Sequence, residues 1–431
     1  MQMFKVSVGS ALSLMGLLLS AAGKAEAATF TFTKIADTNT SIPEGPGNFI
    51  TFSPPVIDDG NVAFVGFGSS EQQGIYTNID SSLNVVADTN TPIPGGAGNF
   101  INFLFPSLDN GNVAFTGEGS SRQFGIYTDI GGLLNVVADT STPVPGGTGT
   151  FLSFGTLPLL DNGNVAFRGS SVFEPQGIYT DTGGSLNVVA GTRTPIPGGT
   201  GNFISLLNLS FDEGNVAFAG IGSGFQSGIY TDIGGSLNVL VDTNTALPGG
   251  GTVNLGDPIG PVLDGRDIAF GNTDPRGIYT IIEDSLNVVA DTNTAIPGGT
   301  ENFDSFGNLS FDNGNVAFVG ADSYDLSVEP REQLGIYTNF GGSLTKVIDL
   351  NDSLDGKTLS DFAFTNQALS GNKIAFLANF TDGSHAIYVA TANDEPTPIP
   401  EPTFALGVLT FGAFAARSAF KRKHRKAAHL I

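Results

Sequence analysis

The sequence contains no cysteine and no tryptophan among its 431 residues, and each absence excludes a class of chemistry. Without thiols the chain forms no disulfide bond, no thiolate metal site and no cysteine nucleophile. Without tryptophan, only phenylalanine and tyrosine remain as rings on which sugars could stack. Histidine is also scarce, because His385 is the only one that lies outside the two chain ends. No nucleophile stands at a readable spacing from it, so we predict no catalytic residue.

Basic residues are few, and eight of the 18 lie at the chain ends. Residues 1–27 combine a basic start at Lys5, an apolar run from Ala11 to Ala22 and small residues near Ala27, which predicts a secretory signal peptide. Residues 29–395 hold ten basic against 39 acidic residues, a net charge of −29. Such a surface repels nucleic acid and anionic lipid and favours cations or neutral partners, so we expect no nucleic-acid partner.

Residues 395–431 carry three features in a fixed order. Pro400, Glu401 and Pro402 come first, the apolar stretch Phe404–Ala416 follows, and a basic cluster ends the series: Arg417, Lys421, Arg422, Lys423, Arg425 and Lys426. This order resembles the PEP-CTERM sorting signal, although five further residues follow the basic cluster. The resemblance implies a short transmembrane helix, a cytoplasmic basic anchor and processing by an exosortase. It also implies delivery to the cell surface or extracellular matrix of a Gram-negative-type bacterium.

The alternatives for this tail are a plain single-pass anchor and an amphipathic helix. Its apolar stretch counts 13 residues, whereas a helix needs ~20 to span a bilayer comfortably. The short length favours transient over permanent anchoring. We therefore expect membrane contact only through this segment.

Between the two signals, residues 28–394 repeat three short strings with a period near 50. An Ile-Tyr string recurs with spacings of 51, 52, 51, 49, 58 and 51 residues, and its tyrosines are Tyr76, Tyr127, Tyr179, Tyr230, Tyr279, Tyr337 and Tyr388. An Ala-Phe string and a string of the type Leu-Asn-Val-Val-Ala-Asp recur with it. Such a period is typical of units that are each too small to bury their own apolar face.

The order of the strings favours a closed ring over an open solenoid. The first copy of the third string, Thr31–Asp37, precedes every tyrosine string, and the last tyrosine string has no third string after it. A strand that starts the chain and completes the last unit is what a ring requires. We therefore predict an all-β, seven-bladed β-propeller in which Thr31–Asp37 pairs beside Ala386–Ala390.

One repeat reads as one four-stranded blade. In the second unit, Phe103–Leu108 leads through an Asn-Gly turn to Val113–Gly117, and Gly125–Asp129 leads through Gly-Gly to Leu134–Asp139. Asn-Gly predicts a type I′ hairpin turn with positive φ at both central residues. The order of strings resembles TolB-type propeller repeats, although the Trp-Ser-Pro of that family is absent. The resemblance implies the fold and no activity.

The repeated tyrosines are read as packing contacts between blades, because a residue fixed in every unit seldom forms a binding stripe. Loops of the type Asp-Thr-Asn-Thr-Pro-Ile-Pro-Gly-Gly share one predicted face with loops of variable length, and function concentrates on such loops. Their carboxylates form a candidate rim for a cation or ligand: Asp37, Asp88, Asp139, Asp242 and Asp291.

Calcium is the only cofactor that the sequence suggests, and it would bind at this rim, since hard cations prefer carboxylate and carbonyl oxygens. The alternative is that each aspartate caps its own turn, and Gly191, which replaces the aspartate in one copy, favours this alternative. The leading functional hypothesis is an exported, monomeric, non-enzymatic interaction protein whose partners are exopolysaccharide or surface proteins. The alternative is a secreted hydrolase or lyase acting on polysaccharide.

Overall fold

The computed structural model describes residues 28–393 except 175, 225, 256–258 and 324–333. The described strands form seven antiparallel sheets. We number the sheets as blades I to VII in chain order and letter the strands of each blade A to D from the axis outward. The predicted sorting segment, with its short helix, lies outside the described residues.

Blades I to III form the first part of the ring. Strand A of blades I and III is broken into two short pieces, whereas strand A of blade II is continuous. The strands are Thr51–Phe52 with Val56–Asp58, Asn61–Phe67, Gln73–Thr77 and Asn84–Asp88 in blade I; Phe100–Asp109, Asn112–Gly119, Phe124–Ile130 and Leu133–Asp139 in blade II; and Ser153–Phe154 with Leu159–Asp161, Asn164–Ser170, Gly177–Thr182 and Ser185–Gly191 in blade III.

Blades IV to VI repeat the plan, and two short 3₁₀ turns, Ile79–Ser81 and Phe340–Gly342, stand between strands C and D of blades I and VI. The strands are Phe203–Asp212, Asn215–Gly222, Ser227–Thr231 and Asn238–Asp242 in blade IV; Val262–Asp264, Asp267–Thr273, Arg276–Ile282 and Ser285–Asp291 in blade V; and Ser305–Asp312, Asn315–Ala321, Gly335–Thr338 and Thr345–Asp349 in blade VI.

Blade VII closes the ring with both ends of the described chain. Its inner strand Lys357–Ala363 is accompanied by the short pieces Ser353–Leu354 and Leu369–Ser370, and Lys373–Phe380 and His385–Ala392 follow. The outer strand is Phe30–Asp37, which pairs antiparallel with His385–Ala392. The predicted seven-bladed ring and the predicted closure are thus both confirmed.

The core consists of seven separate clusters of buried apolar residues, and each cluster draws its members from two neighbouring blades. Within blade I, the ring of Phe49 meets the ring of Tyr76 edge-on at 4.9 Å, and Phe64 stacks on Tyr76. A Cβ on Gly66 would lie 2.4 Å from the Phe49 ring, so this strand B position requires glycine. All seven repeat tyrosines are at most 2% exposed, which confirms the packing role.

The turns between strands A and B confirm the hairpin prediction. Asn110 and Gly111 have φ values of 48° and 75°, both in the left-handed region that a type I′ turn requires. These turns, and those between strands C and D, lie on one face of the ring, which we call the turn face. The connections between strands B and C, and from strand D to the next blade, lie on the opposite face, which we call the rim face.

Candidate functional site

The predicted rim aspartates end strand D of blades VII, I, II, IV and V on the rim face. Asp88 Oδ1 accepts hydrogen bonds from the Asn90 N–H and the Thr91 hydroxyl, both at 2.9 Å, and the Asp88 N–H donates to Thr91 Oγ1. The same pattern recurs at Asp37, Asp139, Asp242 and Asp291. Each carboxylate therefore caps the turn of its own blade.

Hydrogen bonding also lowers the pKa of two rim aspartates. Burial acts to raise the pKa of Asp139, but hydrogen bonds from Ser141, Gln123 and Thr142 outweigh it and hold that pKa below its ordinary value. Lys34, which lies 3.0 Å from Asp37, helps to lower the pKa of Asp37 in the same way against its burial. The ring distributes these groups one to a blade. Across the described residues, no three acidic or histidine side chains are grouped to hold a metal ion.

Blade III supplies the missing carboxylate from another loop. Glu174, between strands B and C, accepts hydrogen bonds from both the N–H and the hydroxyl of Thr192. A Cβ on Gly191 would lie 2.8 Å from the Glu174 carboxyl carbon, so a side chain at position 191 would displace the Glu174 carboxylate from its present place. The sequence analysis did not predict that Glu174 replaces the missing aspartate. A signal was available, because blade III is the only repeat without the aspartate and it carries an acid in its loop between strands B and C.

The same carboxylates influence the buried tyrosines. Burial raises the pKa of Tyr76 to about 12, with Asp88 adding to the effect, and it raises the pKa of Tyr179 to about 12 with Glu174 in the corresponding role. The hydroxyls of Tyr179 and Tyr230 have no hydrogen-bond partner among the described protein atoms. Both the raised pKa and the burial fit a packing role for these tyrosines.

The axis of the ring contains a cavity of about 320 Å³ that no rim-loop prediction anticipated. All seven blades line it, and one residue from each is Pro54, Phe105, Leu157, Asn208, Ile259, Asn308 and Phe364. Its described lining holds hydroxyl and amide groups, apolar side chains and a single charged group, Arg168. Arg168 lies on strand B of blade III, and its Nη1 donates to the Leu206 carbonyl at 3.0 Å.

The axial channel contains a second cavity, of about 160 Å³, toward the turn face, and carboxylates line it. The last residue of strand A is aspartate in six blades, and each accepts a backbone hydrogen bond of 2.5 to 3.3 Å from the next blade: Asp58, Asp109, Asp161, Asp212, Asp264 and Asp312. In blade VII the acceptor is the Ser370 hydroxyl, to which the N–H of Asp59 in blade I donates a hydrogen bond. Each of the seven blades is therefore hydrogen-bonded to the next through the end of its strand A.

Crowding changes the protonation behaviour of this carboxylate ring. Burial raises the pKa values of Asp58, Asp161 and Asp264, and repulsion from neighbouring carboxylates contributes to each increase. These three groups belong to blades I, III and V, in which strand A is broken or short. These acids are among the 39 acidic residues of the domain, and the sequence gave no indication that they line one cavity at the axis.

The rim face also exposes aliphatic side chains at one repeat position. Ile50, Ile101, Leu152 and Ile204 follow the buried loop residue at the start of strand A in blades I to IV, and each is 50–57% exposed. Asn254 and Asp304 hold this position in blades V and VI. The four aliphatic residues, which we call the apolar arc, thus occupy one side of the ring around the axial cavity.

The other residues that the sequence singled out are His385 and the sorting segment. His385 begins strand C of blade VII rather than lying in a loop, and its Nδ1 is 2.6 Å from Asn379 Oδ1. The sorting motif at Pro400, Glu401 and Pro402 and the basic cluster lie outside the described residues. Among the residues that are described, no helix has both the length and the apolar character to cross a membrane.

The sequence matches the model of the family of unknown function DUF7453 over residues 16–175, 119–372 and 259–406. The chain belongs to the DUF7453 family. Overlapping matches are expected of a repeat protein, since the family model fits in more than one register. No match to a curated protein reaches significance.

Two solved structures are among those to which this DUF7453 protein is similar. A protein assigned as TolB from Agrobacterium tumefaciens is 18% identical, with a TM-score of 0.37 over 72% of this chain and 94% of that one. A puromycin-hydrolysing peptidase from Mycobacterium tuberculosis is 9% identical, with a TM-score of 0.45 over 81% of this chain and 54% of that one. With identities and TM-scores this low, these likenesses carry no argument about activity or partners.

Proposed function

We propose that the protein is an exported, exosortase-sorted and non-enzymatic β-propeller that binds exopolysaccharide at the cell surface through its rim face. The observation that carries the proposal is the asymmetry of the two faces. The rim face presents the apolar arc, the variable loops and the mouth of the axial cavity, whereas the turn face consists mainly of tight turns. We read the four exposed side chains of the apolar arc as one interaction surface, since exposed apolar patches typically mark such surfaces.

The placement of the acids supports a binding role over a hydrolytic one. Glycoside hydrolysis requires two carboxyl groups that flank the bond to be cleaved. The described lining of the rim-side cavity contains no Asp, Glu or His. The carboxylates that do converge, such as Asp109 and Asp212, lie at the opposite end of the channel and already hold backbone N–H groups of the next blade.

Matched substitutions on the two faces test the surface role. Ile101→Glu combined with Ile204→Glu should release the protein from the extracellular matrix into the medium, because it places charge in the apolar arc. Leu133→Glu is the control, since Leu133 is 65% exposed on the turn face. Equal retention of both variants would reject the rim face as the binding surface, and release of reducing ends from purified exopolysaccharide would reject the non-enzymatic part.

The sorting part of the proposal has its own test. Replacing Pro400, Glu401 and Pro402 with alanine should leave the protein uncut in the inner membrane, with the basic cluster on the cytoplasmic side. Pro396→Ala with Pro398→Ala is the control, because these prolines precede the motif in the same segment. Fractionation and a C-terminal tag report the outcome. Appearance of the shortened protein outside the cell despite the triple substitution would contradict exosortase sorting.

A further inference from the structure

We infer that the rim-side axial cavity binds an acidic sugar, with the Arg168 guanidinium pairing with the sugar carboxylate. The inference deepens the proposed function, because it rests on a saccharide as the ligand and names its chemical class. Three observations support it. Arg168 has no carboxylate partner, Asn208 has an unpaired donor on the same wall, and the rest of the wall presents apolar side chains.

Several described cations lack an ion pair, and Arg168 differs from three of them, Arg122, Arg193 and Arg266, because it is half-buried and lines the cavity whereas they are exposed. Lys34, Lys346 and Lys357 each lie within 3.1 Å of aspartate oxygens, and Arg276 lies 3.6 Å from Asp304. No described carboxylate lies within ion-pair distance of Arg168, although acids outnumber bases 39 to ten in residues 29–395. A partly buried guanidinium without a counter-ion is costly. An anionic ligand would supply the missing partner.

A second donor on the same wall is also unfilled. Asn208 lies on strand A of blade IV, two residues from the Leu206 carbonyl that Arg168 contacts, and its buried Nδ2 finds no acceptor among the described protein atoms. Two other polar side chains of the cavity are paired, since Asn308 Nδ2 donates to the Phe364 carbonyl at 2.7 Å and Thr365 Oγ1 donates to the Pro55 carbonyl at 2.9 Å. Arg168 and Asn208 both offer donors, so a ligand that pairs with them must carry acceptors.

The rest of the wall suits a sugar ring better than a bare anion. Phe105, Leu157 and Phe364 present apolar surface to the cavity, against which the C–H face of a pyranose packs. The volume of about 320 Å³ is at the lower end of the roughly 300–1,000 Å³ of small-ligand pockets, which limits the ligand to a small ring. A uronic acid combines the carboxylate, the hydroxyl acceptors and the apolar face that this wall requires.

Calorimetric titration of the protein purified from its cells tests the inference. D-glucuronate should bind, while D-glucose and inorganic phosphate at the same ionic strength should bind at least about tenfold more weakly, because each lacks either the charge or the ring. Glucose binding as tightly as glucuronate would overturn the role of the anion. Phosphate binding as tightly as glucuronate would overturn the sugar and leave a general anion site.

Variants then assign the binding to Arg168. Arg168→Gln should weaken glucuronate binding about tenfold to a hundredfold, the range expected for a lost charged hydrogen bond, and Arg168→Lys should restore part of it. Arg193→Gln is the control, since Arg193 is exposed on the rim face and its loss changes the net charge equally. Unchanged binding in Arg168→Gln would refute the assignment. Should that variant not fold, the preference of the unmodified protein for glucuronate over glucose remains decisive.

The two proposals fail separately. Loss of surface retention in the arc variants with no glucuronate binding would refute the axial site and leave the proposed function standing. Glucuronate binding by a protein that remains in the cytoplasm would refute export and leave the axial site standing.

Discussion

Removal of residues 29–37 should destabilise the entire propeller, because this segment is the outer strand of the last blade. Its seven paired positions, from Phe30 with Ala392 to Asp37 with Ala386, hold the two ends of the described chain together. Without it, the strand His385–Ala392 becomes an exposed edge, and the apolar cluster between blades VII and I loses Ala36. An exposed edge strand also invites association with other chains.

The magnitude follows from what the strand buries. The ring of Phe32 meets that of Phe376 edge-on at 6.2 Å, and Phe30 lies 6.3 Å from Phe340. Full burial of such a side chain contributes about 1.5–3 kcal/mol, so these two half-buried rings together contribute about 1.5–3 kcal/mol. Cross-strand hydrogen bonds add about 0.5–1.5 kcal/mol each. The total is comparable with the ~5–15 kcal/mol that stabilises a typical domain.

Urea unfolding measures the effect. The deletion should lower the free energy of unfolding by about 3 kcal/mol or more, and Phe32→Ala should lower it by about 1–2 kcal/mol. The exposed Thr33, replaced by alanine, is the control and should change it by less than about 0.5 kcal/mol. A peptide of residues 29–37 should restore stability to the deletion variant in proportion to its concentration, whereas a scrambled peptide should not. An unchanged unfolding curve for the deletion variant would refute closure by this strand.

Three further predictions concern the carboxylates. Gly191→Asp should destabilise blade III because the new carboxylate displaces that of Glu174 from Thr192 and repels it; adding Glu174→Ala should recover at least about 1 kcal/mol in a double-mutant cycle, and additive effects would contradict the exchange of roles. The raised pKa of Asp161 penalises its ionised form in the fold, so Asp161→Asn should increase the melting temperature at pH 7, and the gain should shrink as pH falls through that pKa and the wild-type group becomes neutral; a gain that is constant with pH would show that charge is not the cause. Calcium should stabilise the domain no more than sodium chloride of equal ionic strength, since the rim aspartates cap their own turns; a calcium-dependent rise in melting temperature that persists in about 0.5 M salt and that Asp88→Ala reduces would show a specific site.

Local chemistry in the sequence was sufficient to predict the blades. The Asn-Gly pairs specify type I′ turns, the short β-branched runs specify strands, and the displaced first string at Thr31–Asp37 specifies closure. Each of these signals acts between residues that are neighbours in the chain or that occupy the same position in every repeat. For this reason the blade count and the packing of Tyr76 and its counterparts could be predicted without coordinates.

The residues of the candidate site, in contrast, are brought together only by the closed ring, and the sequence did not predict them. Arg168 lies within strand B of a repeat that otherwise matches its neighbours, and nothing near it in sequence indicates that its side chain reaches Leu206 and the axis. The six aspartates of the turn face come together only because seven blades bring their inner strands to one axis, where burial and mutual repulsion raise the pKa of Asp58, Asp161 and Asp264. The sequence thus determined the repeated unit through local turn and strand chemistry. Tertiary closure alone decided which distant side chains share a cavity, because that depends on the geometry of all the blades together.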